Sequence, residues 1–170
     1  MSDIDHFESY IDSWINTLDK PGKDGSYFGP RCPYAKSIWK ENKVKIVKIK
    51  NWDLNKFWST ISLECENFSN DYDVVIIGAE TNEEIVHHIQ LAGGVDALNS
   101  SLNVQNKDLW LVSQFGGTYT IVIIQRITSL DSQSKVLEKK RYYENRYNDY
   151  VFNKNIIRRR KMREHLNSDK

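Results

Sequence analysis

The chain has 170 residues, 39% of them hydrophobic and 28% charged, enough to bury one core and too apolar for a disordered segment. Two cysteines, Cys32 and Cys65, exclude a disulfide scaffold, and the longest aliphatic runs, 74–77 and 121–124, are far too short to cross a bilayer. The net charge of +1 hides an asymmetry, because residues 135–170 hold 12 Lys and Arg against 5 Asp and Glu, which leaves residues 1–134 acidic.

Ile4, Phe7, Ile11, Trp14, Ile15 and Leu18 recur at helical spacing, and Ser2 or Asp3 can cap the start. This amphipathic helix should stop at Asp19-Lys20-Pro21-Gly22. Residues 19–31 hold three glycines and two prolines but no aliphatic side chain, and read as a long loop. Pro33 suits the first position of a helix, where its missing N–H would have had no partner anyway. Ala35, Ile38 and Trp39 give that short helix an apolar stripe ending near Asn42. Residues 44–49 are interleaved with Lys43, Lys45, Lys48 and Lys50, the charge density of an edge strand.

Asp53 can cap a further helix with Leu54, Phe57, Trp58, Ile61, Cys65 and Phe68 on one face. Residues 73–79 open on Asp73 and are apolar from there on, which predicts a strand buried on both sides. Thr81-Asn82-Glu83-Glu84 forms a capping box for a helix through Ile85, Val86 and Ile89. The pair Gly93-Gly94 should close that helix, with a shorter turn around Val95 and Leu98. Residues 109–112 and 119–127 read as a hairpin across Gly116-Gly117. Helices over 130–143 and 156–166 follow, the last one basic.

Four strands with helices between them predict an α/β layered sandwich, an α+β arrangement in which a mixed sheet is covered by helices. The two continuous apolar strands should lie at its centre. A ferredoxin-like topology is the first choice and a thioredoxin-like one the alternative. Residues 1–145 should form a single domain, and 146–170 a basic helical tail. The start, Met1-Ser2-Asp3-Ile4-Asp5, is acidic and lacks a signal-peptide pattern, so a cytoplasmic protein with no membrane partner is expected.

One short segment carries possible chemistry. Cys32 precedes Pro33 at a helix start, where unpaired N–H groups and the helix dipole favour a thiolate. Arg31 and Lys36 add positive charge, and such surroundings lower a cysteine pKa and raise its nucleophilicity. Cys32-Pro33-Tyr34-Ala35-Lys36 resembles the Cys-Pro-Tyr-Cys active site of glutaredoxins, with Ala35 where the resolving cysteine would stand. Gly93-Gly94-Val95-Asp96 extends the likeness. The resemblance implies thiol exchange at Cys32, with Arg31, Tyr34 and Lys36 as binding neighbours. This sequence departs from the family in two ways: no proline follows Pro33, so the facing cis-proline is missing, and no apolar strand leads into the motif. The bland reading is a small residue where loop meets helix. From about residue 10 to 140 the chain also resembles uncharacterised bacterial proteins with a Cys-Pro-Phe-Ala motif, and small uncharacterised proteins of marine tailed phages. That similarity implies no activity.

Elsewhere the chemistry is thinner. His87 and His88 are adjacent, with His6 and His165 remote, so no metal-ligand spacing is present. No metal and no cofactor are expected. Residues 141–163 mix Arg141, Tyr142, Tyr143, Arg146 and Tyr147 with Arg158, Arg159, Arg160, Lys161 and Arg163. Cations can neutralise phosphates and rings can stack on bases, so nucleic acid or an acidic protein is a candidate partner. Equally, these residues can pack the tail onto the acidic body. Two functions follow: thiol chemistry at Cys32, or a non-enzymatic accessory module binding through its basic tail.

Overall fold

The computed structural model describes residues 3–17, 33–50, 53–82, 88–114, 117–144 and 147–168. Helix α1, Asp3–Ile15, sets Phe7, Ile11 and Ile15 on its buried face. Helix α2, Pro33–Lys40, begins at the proline and buries Ile38. Strand β1 covers Val44–Lys48. Helix α3, Leu54–Glu66, starts at Asp53, whose carboxylate accepts the backbone N–H of Lys56, and it buries Phe57, Ile61 and Cys65. Strand β2, Val74–Glu80, is buried along all but its last residue. Then come α4 (His88–Val104), β3 (Leu109–Gln114), β4 (Tyr119–Arg126) and α5 (Ile127–Lys139). The C-terminal segment is one helical rod in three parts. Helix α6, Asp149–Phe152, passes through a π-helical turn, Asn153–Ile157, into α7, Arg158–Ser168.

The strands form one mixed sheet in the order β1-β2-β4-β3. β1 and β2 are parallel, while β4 runs antiparallel to both of its neighbours. The two continuously apolar strands, β2 and β4, are the central ones. Helices α3 and α4 cover one face, where Phe57, Ile61, Leu91 and Val95 meet Val75, Ile77, Val122 and Ile124. Helices α1, α2 and α5 cover the other, where Phe7, Ile11, Ile38 and Leu130 meet Val74, Ile76, Trp110 and Ile121. The result is a three-layer α/β sandwich, and the alternation of side chains along each strand feeds both layers.

Four finer expectations are corrected. A ferredoxin-like chain alternates β-α-β-β-α-β, whereas this sheet is built from β1-α3-β2-α4-β3-β4. The thioredoxin-like alternative would leave the last hairpin strand at the sheet edge, but here β4 turns inward to pair with β2 and β3 takes the edge. Helix α4 also runs unbroken through Gly93-Gly94. The glycines sit there for contact rather than for a break: a Cβ on Gly94 would lie 2.4 Å from the ring of Trp58, so its absence lets α3 and α4 approach. Gly78 plays the same part for Phe7 on the other face, where a Cβ would lie 2.1 Å from the ring. The 130–143 helix begins and ends earlier than its spacing suggests, closing at Lys139 ahead of Arg141, which has φ 56. The loop over 19–31, the acidic half of the capping box and Gly116 lie outside the described residues.

The two sheet edges are protected differently. On β1, Lys45 is held by Glu64 at 2.8 Å and Lys43 by Asp73 at 3.7 Å, so the edge is charged. On β3, the buried Asn99 of α4 stands in for a missing strand. Its Nδ2 donates to the Leu111 carbonyl at 2.9 Å, and its Oδ1 accepts the Leu111 N–H at 2.8 Å. Both outward backbone groups of Leu111 are thereby satisfied.

Candidate functional site

Arg31 and Cys32 lie outside the described residues, as does the side chain of Tyr34. Helix α2 does begin at Pro33, and Lys36 is half-buried on it. The other thiol, Cys65, faces the core beneath α3 and is 6% exposed. Burial, then the neighbouring carboxylates Glu64 and Glu66, push its pKa up to about 12. That holds it as the inert thiol, the opposite of a reactive one.

The basic tail is folded onto the body. Arg159 is 5% exposed, and its Nε donates to Asp131 Oδ1 of α5 at 2.8 Å, with Asp131 itself 2% exposed. Its Nη1 donates to the carbonyl of Asn155 at 3.0 Å. Arg160 meets Glu138 at 2.8 Å and Ser134 Oγ at 3.1 Å. Arg158 turns the other way, to Asp96 of α4 at 3.3 Å, with its guanidinium 6.0 Å from the ring centre of Trp110. The rod thus spans from α4 to α5 past the β3 edge. Lys161 is exposed. The four cationic side chains that read as one patch in sequence therefore point in several directions.

Between this rod and the sheet lies a cavity of about 170 Å³. Its floor is the sheet, through Val44, Val74, Ile76, Trp110, Val112 and Ile123. Trp14, Ile15, Ala35 and Ile38 form the wall from α1 and α2, and Leu130, Ser134 and Leu137 the wall from α5. Tyr143, Tyr147, Asn155, Ile156 and Arg159 close the remaining side. Asn155 and Ile156 belong to the π-helical turn, a distortion that is frequent at functional sites because it re-aims side chains out of the regular ladder.

Most of the lining is apolar, and two of the residues that line it each keep a buried donor. Trp110 is 3% exposed, and its indole Nε1 has no acceptor among the described residues. Arg159 keeps its Nη2 without an acceptor among the described residues as well. Buried indole and guanidinium N–H groups ordinarily find partners. The cavity can therefore hold an apolar body.

Sequence reasoning missed this site. Trp110 read as one more strand residue, and Arg159 as part of a charge run. One signal was available: Ile156, Arg159 and Met162 are spaced by three, which places Arg159 on the same helical face as two apolar residues. Among the described residues no group of three His, Cys, Asp or Glu could hold a metal ion, and no helix is long and apolar enough to cross a membrane. No family model, no curated protein and no solved structure matches the chain.

Proposed function

We propose that the protein is a non-enzymatic binding module that encloses a small, largely apolar molecule between its sheet and its C-terminal rod. The cavity of about 170 Å³ carries the reading. The space is partly open to solvent and its lining is mostly carbon, so an apolar molecule that fills it removes that carbon from water. An apolar cavity of about 150 Å³ is enough to take up benzene. Toluene is therefore the first probe. Titrated into the ¹⁵N-labelled full chain, it should shift the amide resonances of Ala35, Ile38, Trp110 and Ser134 to saturation. Ala35→Phe, which places a ring in the same space, should abolish that response while the chain stays folded. Toluene leaving those resonances unmoved in the natural chain would sink the reading.

The two readings from the sequence stand beside it as proposals. Nucleic acid or an acidic protein could meet the segment 141–163, and Lys161 is exposed for it. However, Arg158, Arg159 and Arg160 each already have a carboxylate in this chain, which supports packing more than docking. Thiol chemistry at Cys32 is favoured by one observation, the helix that opens at Pro33. Ala35 and Ile38 of that helix line the cavity.

A further inference from the structure

We infer that the free edge of β1 is a docking site for an extended acidic segment of another protein, which pairs with the strand and continues the sheet. The inference stands apart from the cavity reading and needs no occupant there.

The edge is identified by its backbone. In a strand, alternate residues turn their N–H and C=O groups to opposite sides. The Lys43 carbonyl accepts from the Val74 N–H, and the Ile49 N–H donates to the Gly78 carbonyl, so Lys43 and Ile49 face β2. By alternation Lys45 and Val47 face β2 as well, in register with Val75 and Ile77. The N–H and C=O groups of Val44 and Ile46 then point away from the sheet. No strand lies on that side of β1, and no group among the described residues meets those donors and acceptors. On β3, by contrast, Asn99 closes the outward groups of Leu111. An unpaired row of this kind is a template for a further strand.

Side chains decide which strand fits. Lys45 lies on the α3 face, where it meets Glu64 at 2.8 Å, and Val47 packs against the same layer. Val44 and Ile46 lie on the other face, half-buried against the layer of α1 and α2. A strand laid beside β1 therefore meets apolar carbon on one face and lysine on the other. Residues 36–50 hold six lysines and one glutamate. Two of these lysines, Lys40 and Lys50, flank the strand, are exposed and have no carboxylate among the described residues. A second copy of the chain fits worse. Two β1 edges paired antiparallel about Ile46 would set Lys45 of each copy diagonally across from the other on one face, where like charges repel. A segment that alternates apolar and acidic residues suits both faces.

Amide hydrogen exchange in the natural chain tests the edge first. The N–H groups of Val44 and Ile46 should exchange at least about tenfold faster than those of Lys45 and Val47, which β2 holds. Equal protection of all four would mean that the edge is covered, and overturns the inference. The probe is the peptide acetyl-Glu-Val-Glu-Val-Glu-Val-Glu-amide, titrated at low salt into the ¹⁵N-labelled full chain. It should shift the amide resonances of residues 44–48 to saturation and slow exchange at Val44 and Ile46. The same peptide with lysine for every glutamate should bind at least about fivefold more weakly, the loss of exposed ion pairs. A peptide of the same composition with its glutamates and valines in separate blocks should also bind more weakly than the alternating one. Failure of the alternating peptide to move those resonances overturns the inference, and equal binding of the lysine peptide overturns the acidic class. Protection of Val44 and Ile46 that rises with chain concentration, with no peptide present, would assign the edge to a second copy and overturn the acidic partner.

Discussion

At the scale of single residues, burial assigns opposite fates to groups that look alike in sequence. The chain has two thiols, and Cys65 is the one that the core has silenced. Its pKa is displaced from an ordinary 9.0 to about 12, first by desolvation and then by the negative charges of Glu64 and Glu66. A folded pKa above the unfolded one means that the folded state holds the proton more tightly. The stability this provides is complete below about 9 and drains away as pH rises from about 9 towards 12. At neutral pH, then, a thiol reagent should leave Cys65 untouched in the folded chain. Cys32 can be titrated alone against that silent background. Its rate of alkylation between pH 5 and 9 should report a pKa well under about 8.5 if thiol chemistry is its task. An ordinary or raised value would end that proposal, and Cys32→Ser provides the blank.

At the scale of elements, local pattern was legible because it is local. The 3.6-residue spacing of Phe7, Ile11 and Ile15, the Asp53 cap and the apolar run of β2 each dictate an element without help from distant residues. Gly93-Gly94 misled for the same reason. A glycine pair looks like a helix stop, and only the ring of Trp58, 36 residues away from Gly94 in sequence, shows why one glycine is required. The two glycines should therefore respond oppositely to one substitution. Nothing lies within 4 Å of a Cβ at Gly93, so Gly93→Ala should gain helix propensity and raise stability by up to ~1 kcal/mol. Gly94→Ala gains the same propensity but drives a methyl group to 2.4 Å from the Trp58 ring, and overpacking of that kind costs about 1–3 kcal/mol. Urea unfolding of the two variants decides the matter. Destabilisation by both would mean that the helix is interrupted at the pair after all.

At the scale of the whole molecule, strand order and the cavity were illegible because neither is written in any one segment. β4 pairs with β2 and leaves β3 outside, and Asn99 closes the Leu111 edge from α4, a contact that no periodicity announces. The acidic body and basic tail were visible as composition, and the structure joins them. Arg158 reaches Asp96 on α4 while Arg159 and Arg160 reach Asp131 and Glu138 on α5, so the rod clasps the two layers across the β3 side. These pairs differ in depth, and the difference is measurable. Asp131→Ala would strand a buried guanidinium and should cost about 3–5 kcal/mol, whereas replacing Asp131 and Arg159 together by Leu and Met should be close to neutral. Asp96 is more exposed, with a side chain at 40%, so Asp96→Ala should cost under ~1 kcal/mol. Urea unfolding of the three variants supplies the ranking. If Asp131→Ala proves as mild as Asp96→Ala, the clasp is not what holds the tail. Its arginines would then be available to phosphates or carboxylates from outside the chain, and the partner-binding proposal would gain what the cavity reading loses.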